Sequence, residues 1–136
     1  MIKPIMKSEF FLRLPSEDAG PDDAATGQDL LDTLHEHERE CVGLAANMIG
    51  VRKRIICVKD GNRTLLMYNP QILEQVNAYQ TSEGCLPLIG ERPCTRYRRI
   101  KVEYLDENFV HRIKNFSGYT AEIIQHEIDH CCGIVI

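Results

Sequence analysis

The sequence has no apolar run that approaches the length of a bilayer-spanning helix, so a helical membrane span is excluded. It also lacks a basic excess: 16 Lys and Arg stand against 20 Asp and Glu, for a formal charge of −4. That balance leaves no footprint for nucleic acid or an anionic membrane surface. Internal repeats and low-complexity segments are absent. The N-terminus carries no signal-peptide core, because Pro4, Lys7 and Glu9 interrupt it, and a cytoplasmic location is the expectation. The six cysteines lack the density and the leader of a secreted disulfide scaffold, so they are read as reduced thiols, some of them core fillers.

What is present fits one domain over residues 1–136, long enough to bury one core. Residues Pro15 to Gly27 read as a loop. From Gln28 to Glu40, Leu30, Leu31 and Leu34 share one helical face, with Asp22 or Asp23 as the cap. Arg54–Val58 and Leu65–Tyr68 read as strands joined by a turn at Lys59–Arg63, and Ile72–Tyr79 as a weaker strand. Arg98–Leu105 and Phe109–Phe116 alternate around a turn at Asp106–Asn108. A helix from Tyr119 to Cys132 follows, stopped by Gly133, and Ile134–Ile136 is a last edge strand. The fold class is α+β, with antiparallel β-sheets around a C-terminal helix.

That helix carries Gln125-His-Glu-Ile-Asp-His130. His126 and His130 lie four apart and project from one face, where both can hold one ion. Glu127 beside them can take a proton from water polarised by that ion. A polar helix face with two chance histidines is the bland alternative; intact apolar positions on the same helix argue against it. Downstream of His130 stand only Cys131, Cys132, Gly133 and three aliphatics. Cys131 and Cys132 leave the helix in other directions and read as packing residues, so a third ligand comes from upstream. Cys85, in Thr81-Ser-Glu-Gly-Cys-Leu-Pro-Leu88, is the best candidate; Cys57 alternates into a strand core, and Cys41 and Cys94 have no neighbouring motif. One thiolate and two imidazoles leave a fourth position open, as a catalytic centre requires.

Three ordered segments together resemble the peptide deformylase family: Cys41-Val-Gly-Leu-Ala-Ala-Asn-Met48, Glu83-Gly-Cys-Leu-Pro87 and Gln125-His-Glu-Ile-Asp-His130. The resemblance spans nearly the whole chain. It implies a peptide deformylase-like fold and a hydrolase that removes the formyl group from the initiator methionine of nascent bacterial polypeptides. It further implies one divalent transition metal on Cys85, His126 and His130, natively Fe2+, with Zn2+, Ni2+ or Co2+ able to substitute. A thiolate among the ligands suits such metals better than magnesium or calcium. By the same resemblance Glu127 is the general acid and base, and the Leu86 N–H stabilises the oxyanion. Val42, Gly43, Leu44 and Gly84 flank a substrate bound as an added strand, Gly43 letting its backbone come close. Tyr119 and Ile123 wall the methionine pocket, with core packing as the equal alternative. The partner is an N-formyl-methionyl peptide met near the ribosome.

The chain departs from the family pattern in places. Cys41 stands at the first glycine of motif one. Met48 stands at the catalytic Gln, and a thioether has no donor for the oxyanion. Pro87 replaces the Ser of motif two, which leaves the Leu86 N–H available. The sequence also ends at Ile136, without the C-terminal tail of many members. A second reading is therefore a weak or inactive deformylase-like metal binder, and a third is a zinc-type peptidase, against which the lack of a downstream ligand speaks.

Overall fold

A computed structural model describes residues 1–85 and 90–135. Helix α1 (Glu9–Leu12) is capped by the Ser8 hydroxyl, which accepts from the Phe11 N–H. Helix α2 (Ala24–Glu36) starts and ends four residues earlier than the leucine spacing suggests. A 3₁₀ turn over Pro21–Asp23 leads into it, and the Asp23 carboxylate accepts from the Gly20 N–H instead of capping α2. Gly27, Leu30 and Leu34 of α2 are buried, and Gly27 lets the Tyr68 ring lie against the helix, where a Cβ would collide with it.

The described strands form one sheet, not several, in the order β1-β2-β3-β4-β5 and antiparallel throughout. They are β1 (Gly43–Ala45), β2 (Ile55–Asp60), β3 (Arg63–Gly84), β4 (Glu91–Leu105) and β5 (His111–Ser117). Gly61, at φ 63°, turns the β2–β3 hairpin. The two strands expected at Leu65–Tyr68 and Ile72–Tyr79 are parts of β3. The break between them is a bulge at Asn69-Pro70, where the β3–β4 register shifts. Asn69 sits at φ 54°, a left-handed conformation asparagine tolerates, and its side chain clamps both backbone groups of Ala19. Proline in mid-sheet is accommodated at such a bulge.

Helix α3 (Gly118–Cys131) packs against β1, β2 and β4. Gly133, at φ 77°, ends it: the Ile134 N–H bonds the Asp129 carbonyl and the Gly133 N–H that of His130. Ile134 and Val135 do not form the expected edge strand, their backbone following this helix stop instead; Ile136 lies outside the described residues. The core runs through Leu30, Leu34, Leu44, Ile55, Ile56, Met67, Val102 and Ile124. No described helix is long and apolar enough to cross a membrane.

Candidate metal centre and its cleft

β1 is one edge of the sheet, β3 ends at Gly84, and α3 crosses beside both. This brings Cys85, His126 and His130 together although 40 residues of β-hairpin and helix separate them in sequence. Their candidate donor atoms all lie within 4.8 Å of one another, and Cys85 Sγ is 3.2 Å from His130 Nε2. Metal–sulfur bonds of about 2.3 Å and metal–nitrogen bonds of about 2.0 Å require ligand separations of this size, so the donor set fits a tetrahedral ion with one position open. The expected burial of Cys57 and Cys131 is seen, Cys132 is exposed, and all six thiols are unpaired.

The charges around the site differ sharply. Burial pushes the Cys85 thiol up to about 12, with the Glu127 carboxylate adding to it. Binding as thiolate therefore requires a cation to displace that proton. Burial, then the His126 ring, pushes His130 down to about 3, so it stands neutral with Nε2 free to ligate. Burial most strongly opposes charge on His126, but the hydrogen bond with Glu83 and the charges of Glu127 and Glu83 together outweigh it and raise the pKa. That bond, Nδ1 to Oε1 at 2.8 Å, fixes the ring and leaves Nε2 as the nitrogen that would ligate an ion.

Glu83 does not float. Arg96 Nη2 donates to its Oε1 at 2.7 Å and Arg96 Nε spans both oxygens at 3.1 Å. The third arm of Arg96, Nη1, donates to Asp129 Oδ2 at 2.7 Å. Burial penalises the Glu83 carboxylate, yet the bonds from His126 and Arg96 hold its pKa well below the usual range. One guanidinium thus ties the end of β3 to the last turn of α3. Gln125 makes a second tie: its amide oxygen accepts from the Tyr97 N–H at 2.8 Å and its nitrogen donates to the Tyr97 carbonyl at 2.9 Å. Asn47 makes a third, donating to the His130 carbonyl at 2.9 Å.

Arg96 is absent from the sequence reading, and Asn47, Glu83 and Gln125 appear there only inside motifs. A signal for Arg96 exists: it shares strand parity with Ile100, Val102 and Tyr104, the core-facing side of β4. Asn47 offers no signal beyond its place in a motif, since only the chain crossing puts it beneath His130.

Glu127 is 4% exposed and its Oε1 has no hydrogen-bond partner among the described residues. Burial raises its pKa to about 7, partly opposed by His126. Gly43 is what makes room for it. A Cβ at Gly43 would stand 2.7 Å from Ile123 Cγ2 and 3.0 Å from Glu127 Oε2. The glycine therefore admits the carboxylate in addition to any approach by substrate. Glu127, Gly43, Val42, Gly84, Cys85, Met48, Tyr119 and Ile123 all line one cleft of about 440 Å³. Tyr119 is exposed at its mouth and Ile123 is buried in its wall. The Leu44 side chain is fully buried in the core, so only its backbone faces a strand-like ligand. The Met48 sulfur accepts from the Ala45 N–H at 3.5 Å, which turns the side chain back on its own loop. Leu86 and Pro87 lie outside the described residues.

The family model for polypeptide deformylase matches residues 6–136. The chain belongs to the polypeptide deformylase family. A peptide deformylase of Clostridium beijerinckii is 52% identical over 136 residues, covering all of both chains. Peptide deformylase 1 of Clostridium perfringens is 37% identical, over 79% of this chain and 74% of its own. Among solved structures, the Thermotoga maritima deformylase superposes with a TM-score of 0.89 at 27% identity, covering 99% of this chain and 95% of that one. The actinonin-bound deformylase of Acinetobacter baumannii gives 0.87 at 29% identity, covering 99% and 95%.

Proposed function

We propose that this deformylase hydrolyses the formyl C–N bond of N-formyl-methionyl polypeptides, with Cys85, His126 and His130 holding one divalent transition metal, Fe2+ in the native protein. The observation that carries the reading is Glu127: a buried, unpartnered carboxylate poised near neutrality beside a three-donor centre, at the floor of an open cleft. When bound, the ion supplies Lewis-acid polarisation and lowers the pKa of water. A deformylase of A. baumannii has been solved with Met-Ala-Ser bound, a peptide that such a cleft accepts.

The chain's own residues do the rest. The free edge of β1, at Val42–Ala45, receives the peptide backbone as a further strand, while the Val42 carbonyl itself is held by the Lys59 N–H. Ile123 and Tyr119 flank the methionine side chain. Water adds its oxygen to the formyl carbon as Glu127 takes one of its protons. Glu127 then delivers that proton to the nitrogen, the C–N bond breaks, and formate and a free amine result. Glu83, fixed by Arg96, holds His126 in place through Nδ1. The substrate is the first residue of a nascent chain, so the enzyme would work in the cytoplasm close to the ribosome.

The test is formate release from a formyl-Met peptide by anaerobically purified, iron-loaded protein. Release that needs both metal and Glu127 is expected; metal-bound protein with no release from any formyl peptide would overturn the reading in favour of a non-catalytic metal binder. Against that second reading stand the three donors and Glu127, all in place, although Met48 brings no donor to the oxyanion.

A further inference from the structure

The two histidines of the centre are held in different ways. His126 is anchored through its ring, by the Nδ1 bond to Glu83 at 2.8 Å. A ligating imidazole almost always finds such a partner for its second nitrogen. His130 is fully buried, yet its Nδ1 has no hydrogen-bond partner among the described residues. What is gripped instead is its backbone carbonyl, which accepts from Asn47 Nδ2 at 2.9 Å.

Asn47 lies on the 3₁₀ turn Ala46–Ile49, which follows β1 and also carries Met48 into the cleft. Its NH2 group faces two acceptors: the His130 carbonyl in the last turn of α3 and, at 3.5 Å, the Leu12 carbonyl at the end of α1. Both belong to helix C-termini, whose carbonyls the helices themselves leave short of donors. Two carbonyl neighbours also fix which way the amide points, nitrogen toward them. Its Oδ1 is left buried and unpartnered among the described residues, and Asn47 is only 1% exposed. Leaving half of a buried amide unsatisfied is unfavourable, and an apolar side chain of the same shape would avoid it. Packing thus does not account for an asparagine here; the two carbonyls do.

We infer that Asn47 is a positioning residue for the metal, fixing His130 from behind although it bonds only the backbone of that residue. This rests on the metal centre proposed above. Without the amide, the last turn of α3 is no longer tied to the turn beneath it. His130 Nε2 then loses its fixed separation from Cys85 Sγ, 3.2 Å in this structure. The donors have to be gathered as the ion arrives, and affinity falls by that ordering cost.

The experiment uses Asn47→Leu, which keeps the shape and removes both N–H groups. Zn2+ dissociation constants are measured by chelator competition well below the melting temperature, and the visible absorption of Co2+-loaded protein reports ligand geometry. Leu34→Ala, a truncation on the buried face of α2, is the control for lowered stability. Asn47→Leu should bind Zn2+ about 10- to 100-fold more weakly and alter the Co2+ bands. Leu34→Ala should melt earlier with both unchanged. Parental Zn2+ affinity and Co2+ bands in Asn47→Leu, whatever its Tm, would overturn the inference, as would an equal loss of affinity in Leu34→Ala. A parent that binds neither ion shows instead that the proposed centre is wrong, and the inference falls with it. If Asn47→Leu does not fold, Asn47→Ala loses the same N–H groups without added bulk and decides by the same two measurements.

Discussion

Glu127 and Met48 face the same small volume with opposite consequences for charge. Glu127 is a carboxylate that the fold keeps dry and unpartnered, which places its proton affinity near neutral pH. General acid–base help is worth about 10²–10⁴ in rate, so Glu127→Ala should retain metal, by elemental analysis, and lose formate release by that factor. A variant as fast as the parent would mean that another group moves the proton. By the motif resemblance Met48 stands where an amide donor is expected, and its sulfur already accepts from the Ala45 N–H. As the formyl carbon becomes tetrahedral, charge grows on an oxygen that no donor from position 48 can reach. Met48→Gln should therefore raise kcat, by up to about 10² if the loop leaves the amide free to turn, with KM little changed. No gain in kcat, from a parent as fast as a glutamine-bearing relative, would show that another donor fills the oxyanion site.

At the scale of elements, the centre is an assembly of the β3 end, the start of β4 and helix α3, and Arg96 joins all three. Its removal strands the Glu83 and Asp129 carboxylates in a site where Arg96 itself is only 5% exposed. Breaking a buried pair in this way costs about 3–5 kcal/mol. Arg96→Leu should show this as a lowered urea midpoint in metal-free protein. It should also lower metal affinity about 10- to 100-fold, because the carboxylate that orients His126 loses its support. Arg96→Lys should recover little of either, since an ammonium cannot span both Glu83 oxygens. Unchanged chelator resistance in Arg96→Leu would reduce Arg96 to a stability role. The sequence shows the outer parts of this assembly well. The four-residue spacing of His126 and His130, the glycine stop at Gly133 and the alternation over Ile100–Leu105 of β4 are local patterns, and each is found as read, whereas β5 forms a strand whose residues are nearly all exposed, without the alternation expected there. Cys85 is found beside both histidines, a convergence for which the spacing argument needed the help of a family resemblance. What stayed hidden depends on long-range pairing: the fusion of two apparent strands into β3 through the Asn69 bulge, and the Arg96 and Asn47 ties. An arginine among Arg96-Tyr-Arg-Arg99 looks like a solvated charge run until register places one member inward.

For the whole molecule, the centre makes stability a function of both pH and metal. Without metal, Glu127 has a folded-state pKa raised from 4.5 to about 7 by burial. The folded state thus binds its proton more tightly than the unfolded chain does. This contribution to stability is fully present below pH 4.5 and is lost as pH rises through about 7. A shift of this size corresponds to roughly 3 kcal/mol, since each unit is worth about 1.4 kcal/mol. Glu83 acts in the opposite direction, its depressed pKa favouring the fold above the usual carboxylate range, so the parent's pH profile alone mixes the two. Glu127→Gln separates them, because it removes one titration while keeping shape and the Glu83 bonds. Metal-free Glu127→Gln should match the parent at pH 4.5 and exceed it increasingly toward pH 7.5, by on the order of 10 °C in Tm. Metal loading should raise Tm in proportion to the logarithm of metal concentration over its dissociation constant. It should also shrink the gap between parent and variant, because a cation next to Glu127 favours its charged form. Parallel melting curves for the two metal-free proteins across this range would mean that the buried carboxylate is solvated in solution, and that its poise near neutrality is not set by the fold.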